Sequence, residues 1–235
     1  AFWLRLRWNE GLFAEGCNRW VGQAAFNRNK LMSVQIPLPS LLEQRRIVAV
    51  LDEQLAEVDR ARAAVEARLR AVRALPEAFL REVFDGPEAK KWPAKTLGEV
   101  STINPRRPKI GCSQDDPTSF VPMELVSPDG GGIIQMQVRP YEEVCKGYTY
   151  FEDGDVLFAK ITPCMQNGKH AVARNLLGGF GFGTTEFHVI RANDEVLPEW
   201  IHRFLIRSSL LQQATYFFTG SVGQQRIPKE YLAEL

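Results

Sequence analysis

Residues 40–87, SLLEQRRIVAVLDEQLAEVDRARAAVEARLRAVRALPEAFLREVFDGP, constrain the fold most, because they read as a long run of helix with its own start and stop signals. Pro37 and Pro39 keep the approach extended, and Ser40-Leu-Leu-Glu43 is a capping box that predicts a helix from residue 41. Leu51, Leu55, Val58, Arg62, Val65, Leu69, Val72, Pro76, Phe79 and Val83 then follow in alternating steps of four and three, the spacing of a heptad seam. Arg62 interrupts the apolar stripe, Pro76 is expected to kink the helix or divide it, and Asp85-Gly86-Pro87 ends it. At 1.5 Å per residue such a helix is about 65 Å long, too long to bury its stripe against a small domain. The helix-pairing positions Leu51, Leu55, Val58, Val65, Leu69, Val72, Phe79 and Val83 therefore imply a partner helix, in this chain or another.

Composition changes after the linker. Residues 92–200 hold short β-leaning runs (TLGEVSTIN, YTYFEDGDVLFAKI, HAVAR, TTEFHVIRA) separated by turn signals at SPDGGG, EDGD, QNGK and LLGGFG. Leu197-Pro198 then precedes a helical pattern, EWIHRFLIRSSLLQQATYFF. The expectation is an α+β chain: a mainly β domain with flanking helices, joined to a long coiled-coil-type helix. The four cysteines, Cys17, Cys112, Cys145 and Cys164, form no CxxC pair, so neither a zinc site nor a disulfide framework is expected. With no apolar run of eighteen and no signal-peptide pattern, the expectation is a soluble cytoplasmic protein without a membrane role. The opening AFWLRLRW, without a methionine, reads as the middle of a longer polypeptide.

The two ends of the chain can be superposed with an offset of 201. Val21-Gly22-Gln23 falls on Val222-Gly223-Gln224, Phe26 on Ile227 and Leu31 on Leu232. Each half then reads as a helix, a V-G-Q turn, an apolar-polar stretch and a short strand, which makes the long helix a joint between two copies of one domain type.

IPLPSLLEQRRIVAVLDEQLAEVDRARA, at residues 36–63, resembles the start of the central conserved helix in the specificity subunits of type I restriction–modification systems. WPAKTLGEVSTINPRRPK is similar to the opening of that family's target-recognition domain, GDVLFAKITPCMQNGKHAV with GTTEFHVIRA to its strand core, and GSVGQQRIPKEYL to its exit. The resemblance implies that residues 1–38 are the tail of a first recognition domain, 39–86 the central conserved helix and 87–235 a second recognition domain. It implies a non-catalytic subunit that reads half of a split double-stranded DNA target. Its partners would be methyltransferase subunits using S-adenosylmethionine and a translocating nuclease subunit using ATP and Mg, and a second conserved helix would lie along the seam. Two other readings stay open: the specificity region of a fused restriction–methylation enzyme, and a coiled-coil interaction protein with no DNA role.

No catalytic constellation appears. Asn104-Pro105 is followed by Arg106 rather than Pro-aromatic, and Gly178-Gly179-Phe-Gly181-Phe-Gly183 lacks GxGxxG spacing and reads as a turn into the next strand. Glu152, Asp153, Asp155 and Lys160 resemble fragments of a magnesium site, but EDGD is a turn. The three histidines, His170, His188 and His202, stand at no metal spacing. For DNA reading, the side chains that suit phosphates and base edges are Arg106, Arg107 and Lys109; Lys160 and Thr162; Gln166, Asn167, Lys169 and His170; and Ser221, Gln224, Gln225 and Arg226. Gln166-Asn167-Gly-Lys169 is the preferred base-reading loop, its glycine allowing close approach. The formal net charge is only +1, so attraction to phosphate must be concentrated on one face.

Overall fold

The structure, a computed structural model, describes residues 5, 8–11, 17–20, 23–25, 28–128, 131–221 and 225–235. The chain forms two units, Ala1–Leu69 and Arg70–Leu235.

In the first unit, strands β1 (Asn18–Trp20) and β2 (Gln23–Ala25) form an antiparallel hairpin, followed by a short helix α1 (Arg28–Met32). Helix α2 (Leu41–Asp85) starts where the capping signal places it, with the Glu43 N–H donating to Ser40 Oγ at 3.3 Å. The Glu43 carboxylate accepts from Arg46 Nε and Nη2 at 2.9 and 2.7 Å instead of closing the box. Pro76 does not divide the helix. A proline removes one donor and crowds the carbonyl four residues back, yet a single helix continues through it to Asp85. No residue of α2 is buried, and every apolar seam residue from Leu51 to Val83 is exposed, Val58 at 61% and Val65 at 66%.

The second unit opens with a correction. TLGEV was expected to be extended, yet Leu97–Val100 is a turn of helix, α3, because Thr96 and Glu99 form a capping box: the Thr96 N–H donates to Glu99 Oε2 at 2.6 Å. The strands that follow are β3 (Ser101–Ile103), β4 (Pro117–Val121) and β5 (Gln137–Pro140); then come helix α4 (Tyr141–Val144) and strands β6 (Thr149–Glu152), β7 (Val156–Ala159), β8 (His170–Val172), β9 (Phe180–Gly183) and β10 (Phe187–Ala192). They make two four-stranded sheets: β3-β10-β7-β8, antiparallel throughout, and β5-β4-β9-β6, in which β4 and β9 are parallel. The EDGD turn carries the chain from β6 in one sheet to β7 in the other.

The glycine run expected to be a turn is split. Gly178 and Gly179 turn the chain with φ of 65° and 78°, whereas Phe180–Gly183 is the interior strand β9. A Cβ on Gly183 would lie 2.7 Å from the Val121 carbonyl oxygen and 3.1 Å from the Phe151 ring, so glycine here is required by close packing.

All four residues of β7 are buried, and their alternation separates two layers. Val156 and Phe158 face a core shared with helices α5 (Pro198–Leu205), α6 (Ser208–Ala214) and α7 (Lys229–Ala233), through Ile201, Leu205, Leu210 and Leu232. Leu157 and Ala159 face the second sheet through Val121 and Phe151. A smaller cluster of Phe120, Val144, Tyr150 and Phe182 covers the outer side of that sheet. The helix expected after Pro198 is broken at Ile206-Arg207. Arg207 Nε donates to the Phe204 carbonyl at 3.0 Å and Nη1 to Asp85 at 2.8 Å, which ties the break to the end of α2.

The offset of 201 holds in the local structure. Helix α1 falls on α7 residue for residue, and the Asn18–Ala25 pair falls on the Thr219–Arg226 bridge. Ser33 N–H bonds to Asn29 O as Glu234 N–H does to Glu230 O, at 3.1 and 3.3 Å. The element after each hairpin is thus a short helix where a short strand was expected. The V-G-Q turns themselves lie largely outside the described residues.

Candidate nucleic-acid interface

Beyond β7 the chain runs on as Lys160-Ile-Thr162 and takes Gln225–Ile227 as its neighbour. The Ile227 N–H donates to Lys160 O at 2.9 Å, the Thr162 N–H donates to Gln225 O at 3.1 Å, and Ile161 stands opposite Arg226. Two clusters far apart in sequence therefore lie side by side. Arg226 exchanges backbone hydrogen bonds with Thr219 at 3.0 and 2.9 Å, closing the loop that carries exposed Ser221. Its guanidinium grips Glu186, Nε and Nη2 donating at 2.9 and 2.6 Å, which holds the Glu186 carboxyl below its ordinary range. The fork that would read a guanine edge is thus occupied within the fold. Gln225 is half-buried, and Gln224 lies outside the described residues.

A second loop reaches the same place. Asn104 adopts a left-handed φ of 53°, its N–H donates to Val189 O at 2.6 Å, and its Oδ1 accepts from the Val189 N–H at 3.0 Å. Its Nδ2 is 3.0 Å from His188 Nδ1, and His188 Nε2 is 2.8 Å from Ile227 O. Donation from Asn104 into Nδ1 and from Nε2 to the carbonyl fits a neutral imidazole, and burial holds His188 below 6.5. This relay ties the 104–107 turn to the 225–227 segment. Beside the 104–107 turn is a recess of about 300 Å³ with Asn104, Arg107, Tyr148, Thr149 and Lys160 in its lining. Arg107 Nη1 donates to Cys145 O at 2.5 Å and its guanidinium lies 5.6 Å from the Phe182 ring centre. Arg106 and Lys109 are exposed but do not line the recess.

The preferred loop does not present one surface. Gln166 and Gly168 line a separate groove of about 1070 Å³, together with Phe79 and Val83 of α2 and Trp200 of α5. Asn167 is exposed, and Lys169 Nζ donates to Met123 O at 3.0 Å. His170 is wholly buried: its ring stacks on Phe158 at 4.1 Å, and Nδ1 accepts the Ala159 N–H. It has no surface with which to meet DNA, which removes it from the candidates read from sequence. Glycine at 168 serves its own backbone, φ 65°, in a buried position.

The acidic turn resolves structurally. Arg191 Nε and Nη2 donate to the buried Asp155 at 2.8 and 2.7 Å, and Nη1 lies 3.0 Å from Glu152. Among the described residues no group of three or more His, Cys, Asp or Glu side chains could hold a metal ion. Sequence reasoning missed Tyr148 and Thr149. The available signal was Lys146-Gly147, a turn with Gly147 at φ 80°, placing an aromatic at a strand entrance. Tyr148 is 39% exposed, edge-on to Phe120.

No family model matches the chain. The EcoEI specificity subunit of a type I restriction enzyme from Escherichia coli is 40% identical over 150 residues, 63% of this chain and 24% of that protein. The EcoAI specificity subunit, also from Escherichia coli, is 35% identical over 167 residues, 70% of this chain and 28% of that protein. The chain thus spans about a quarter of the length of the curated relatives it matches. A chain from a solved type I R-M system has the same fold, with a TM-score of 0.64 at 22% identity, over 97% of this chain and 54% of that one. The HsdS subunit from Thermoanaerobacter tengcongensis superposes with a TM-score of 0.51 at 21% identity, over 95% of this chain and 54% of that one.

Proposed function

This chain is a relative of the type I restriction enzyme specificity subunits, and on that premise we propose that it reads one half of a split DNA target without catalysing a reaction. Residues 1–38 are the tail of a first recognition domain, 39–86 the spacer helix and 87–235 a second recognition domain. The sequence relationship carries this reading, and a recess lined by Arg107 and Lys160, with the Gln225 segment paired to the chain just beyond Lys160, fits it. Base edges fall to exposed amides and hydroxyls such as Gln166, Asn167 and Ser221, and to half-buried Thr162 and Gln225.

The exposed α2 seam takes a second helix, from residues outside this sequence or from another chain. Methyltransferase subunits using S-adenosylmethionine and a translocating nuclease subunit using ATP and Mg complete the complex in the cytoplasm. Among the described residues no helix is long and apolar enough to cross a membrane.

The test is a footprint of the complex with its methyltransferase partners at physiological salt. A split sequence of defined spacing should be protected; uniform cleavage across every duplex tried would end the DNA-reading proposal.

A further inference from the structure

We propose that the recess between the Asn104–Arg107 turn and Lys160 seats one backbone phosphate of the bound DNA, an inference that rests on the DNA-reading function above. The first ground is charge. Arg107 and Lys160 line the recess and no carboxylate does. Lys160 is half-buried, and among the described residues its ammonium has no hydrogen bond or ion pair. The nearby carboxylate, Glu186, feels the Lys160 charge but is gripped through both oxygens by Arg226. Lys160 therefore keeps its donors available to an incoming anion.

The second ground is chemistry. A lysine ammonium is a point charge with freely rotating donors, suited to a phosphate oxygen and poor at distinguishing bases. Arg107 contacts Cys145 O and the Phe182 ring while lining the recess. Thr149 and Tyr148 add a hydroxyl and an aromatic rim. The third ground is position. The Asn104–His188–Ile227 relay fixes the recess against the segment carrying Gln225, so a phosphate seated there sets the register of that segment on the duplex. Phosphate contacts of this kind position a protein, and base contacts specify.

The test uses the full subunit with its methyltransferase partners, a cognate duplex and a scrambled duplex, and affinities over a salt series. Lys160→Gln and Arg107→Gln should each weaken both duplexes by the same factor, about tenfold, and lower the steepness of the salt dependence by about one. Lys160→Arg should restore the slope, and Lys160→Met, which keeps the stem, should match Lys160→Gln. Slopes unchanged in both variants, with a wild-type complex that binds its target, would overturn the seat alone. So would a change in preference between the duplexes, which would mean base reading. Normal DNA binding with loss of the methyltransferase subunits would assign the recess to an acidic protein surface instead. A wild-type complex that prefers neither duplex would take the DNA-reading proposal down with it.

Discussion

His170, His188 and His202 are 0%, 6% and 6% exposed, and each is carried neutral in the fold. Burial, reinforced by the neighbouring His202, pushes His170 down to about 3, and burial also holds His188 and His202 below their ordinary 6.5. The unfolded chain binds protons that the folded chain refuses, so these groups leave stability intact above about pH 6.5 and erode it as pH falls toward the folded values. For His170 the loss is about 1.4 kcal/mol per pH unit between about 6.5 and its folded value. His170→Gln can keep an acceptor for the Ala159 N–H but cannot titrate. It should be less stable at pH 7.5, yet its urea midpoint should fall less between pH 6.5 and 4.5 than that of the wild type. Parallel curves would show that this histidine does not set the acid limit. Comparing the two proteins cancels the carboxylates, Glu99 and Glu186 among them, that also titrate as pH falls.

At the scale of elements, α2 has two characters. Its last turn is held by Phe84, 4.8 Å from the Trp200 ring and 5.7 Å from Phe204, with the Arg207 guanidinium 5.0 Å above it. The Ser208 N–H adds a bond to Glu77 at 3.1 Å. Phe84→Ala should therefore cost about 2–3 kcal/mol in the isolated chain, whereas Val65→Ala on the exposed seam should stay within about 0.5 kcal/mol. Equal effects in urea unfolding would contradict this division. The limits of α2 were legible because Ser40, Gly86 and Pro87 act locally. The break at Ile206-Arg207 was not, and one of the contacts made there, to Asp85, is far away in sequence. The same holds at the interface. Lys160 and Arg226 are recognisable as candidate phosphate and base ligands, but Glu186, which claims one of them, is visible only in three dimensions. His170 was misplaced because β8 has buried residues on both of its faces, leaving no alternation to mark which side chains are hidden.

At the scale of the molecule, an antiparallel pairing followed by a short helix recurs at an offset of 201, before α2 and again at residues 219–233. If α2 sets the distance between two recognition domains, its length is a measurable parameter of the DNA target. A seven-residue insertion within residues 58–72 preserves the seam, since apolar positions recur every seven residues. It adds about 10 Å of helix, roughly three base pairs at 3.4 Å per pair. With a matched heptad in the partner helix, methylation should move to the same half-sites separated by about three more base pairs. A two-residue insertion, by contrast, turns the downstream seam by about 200°, away from its partner, and should abolish assembly. The readout is the spacing of methylated adenines across a genome carrying the lengthened subunit. Methylation at the original spacing by an assembled, lengthened complex would mean that α2 holds the domains together without measuring the distance between them.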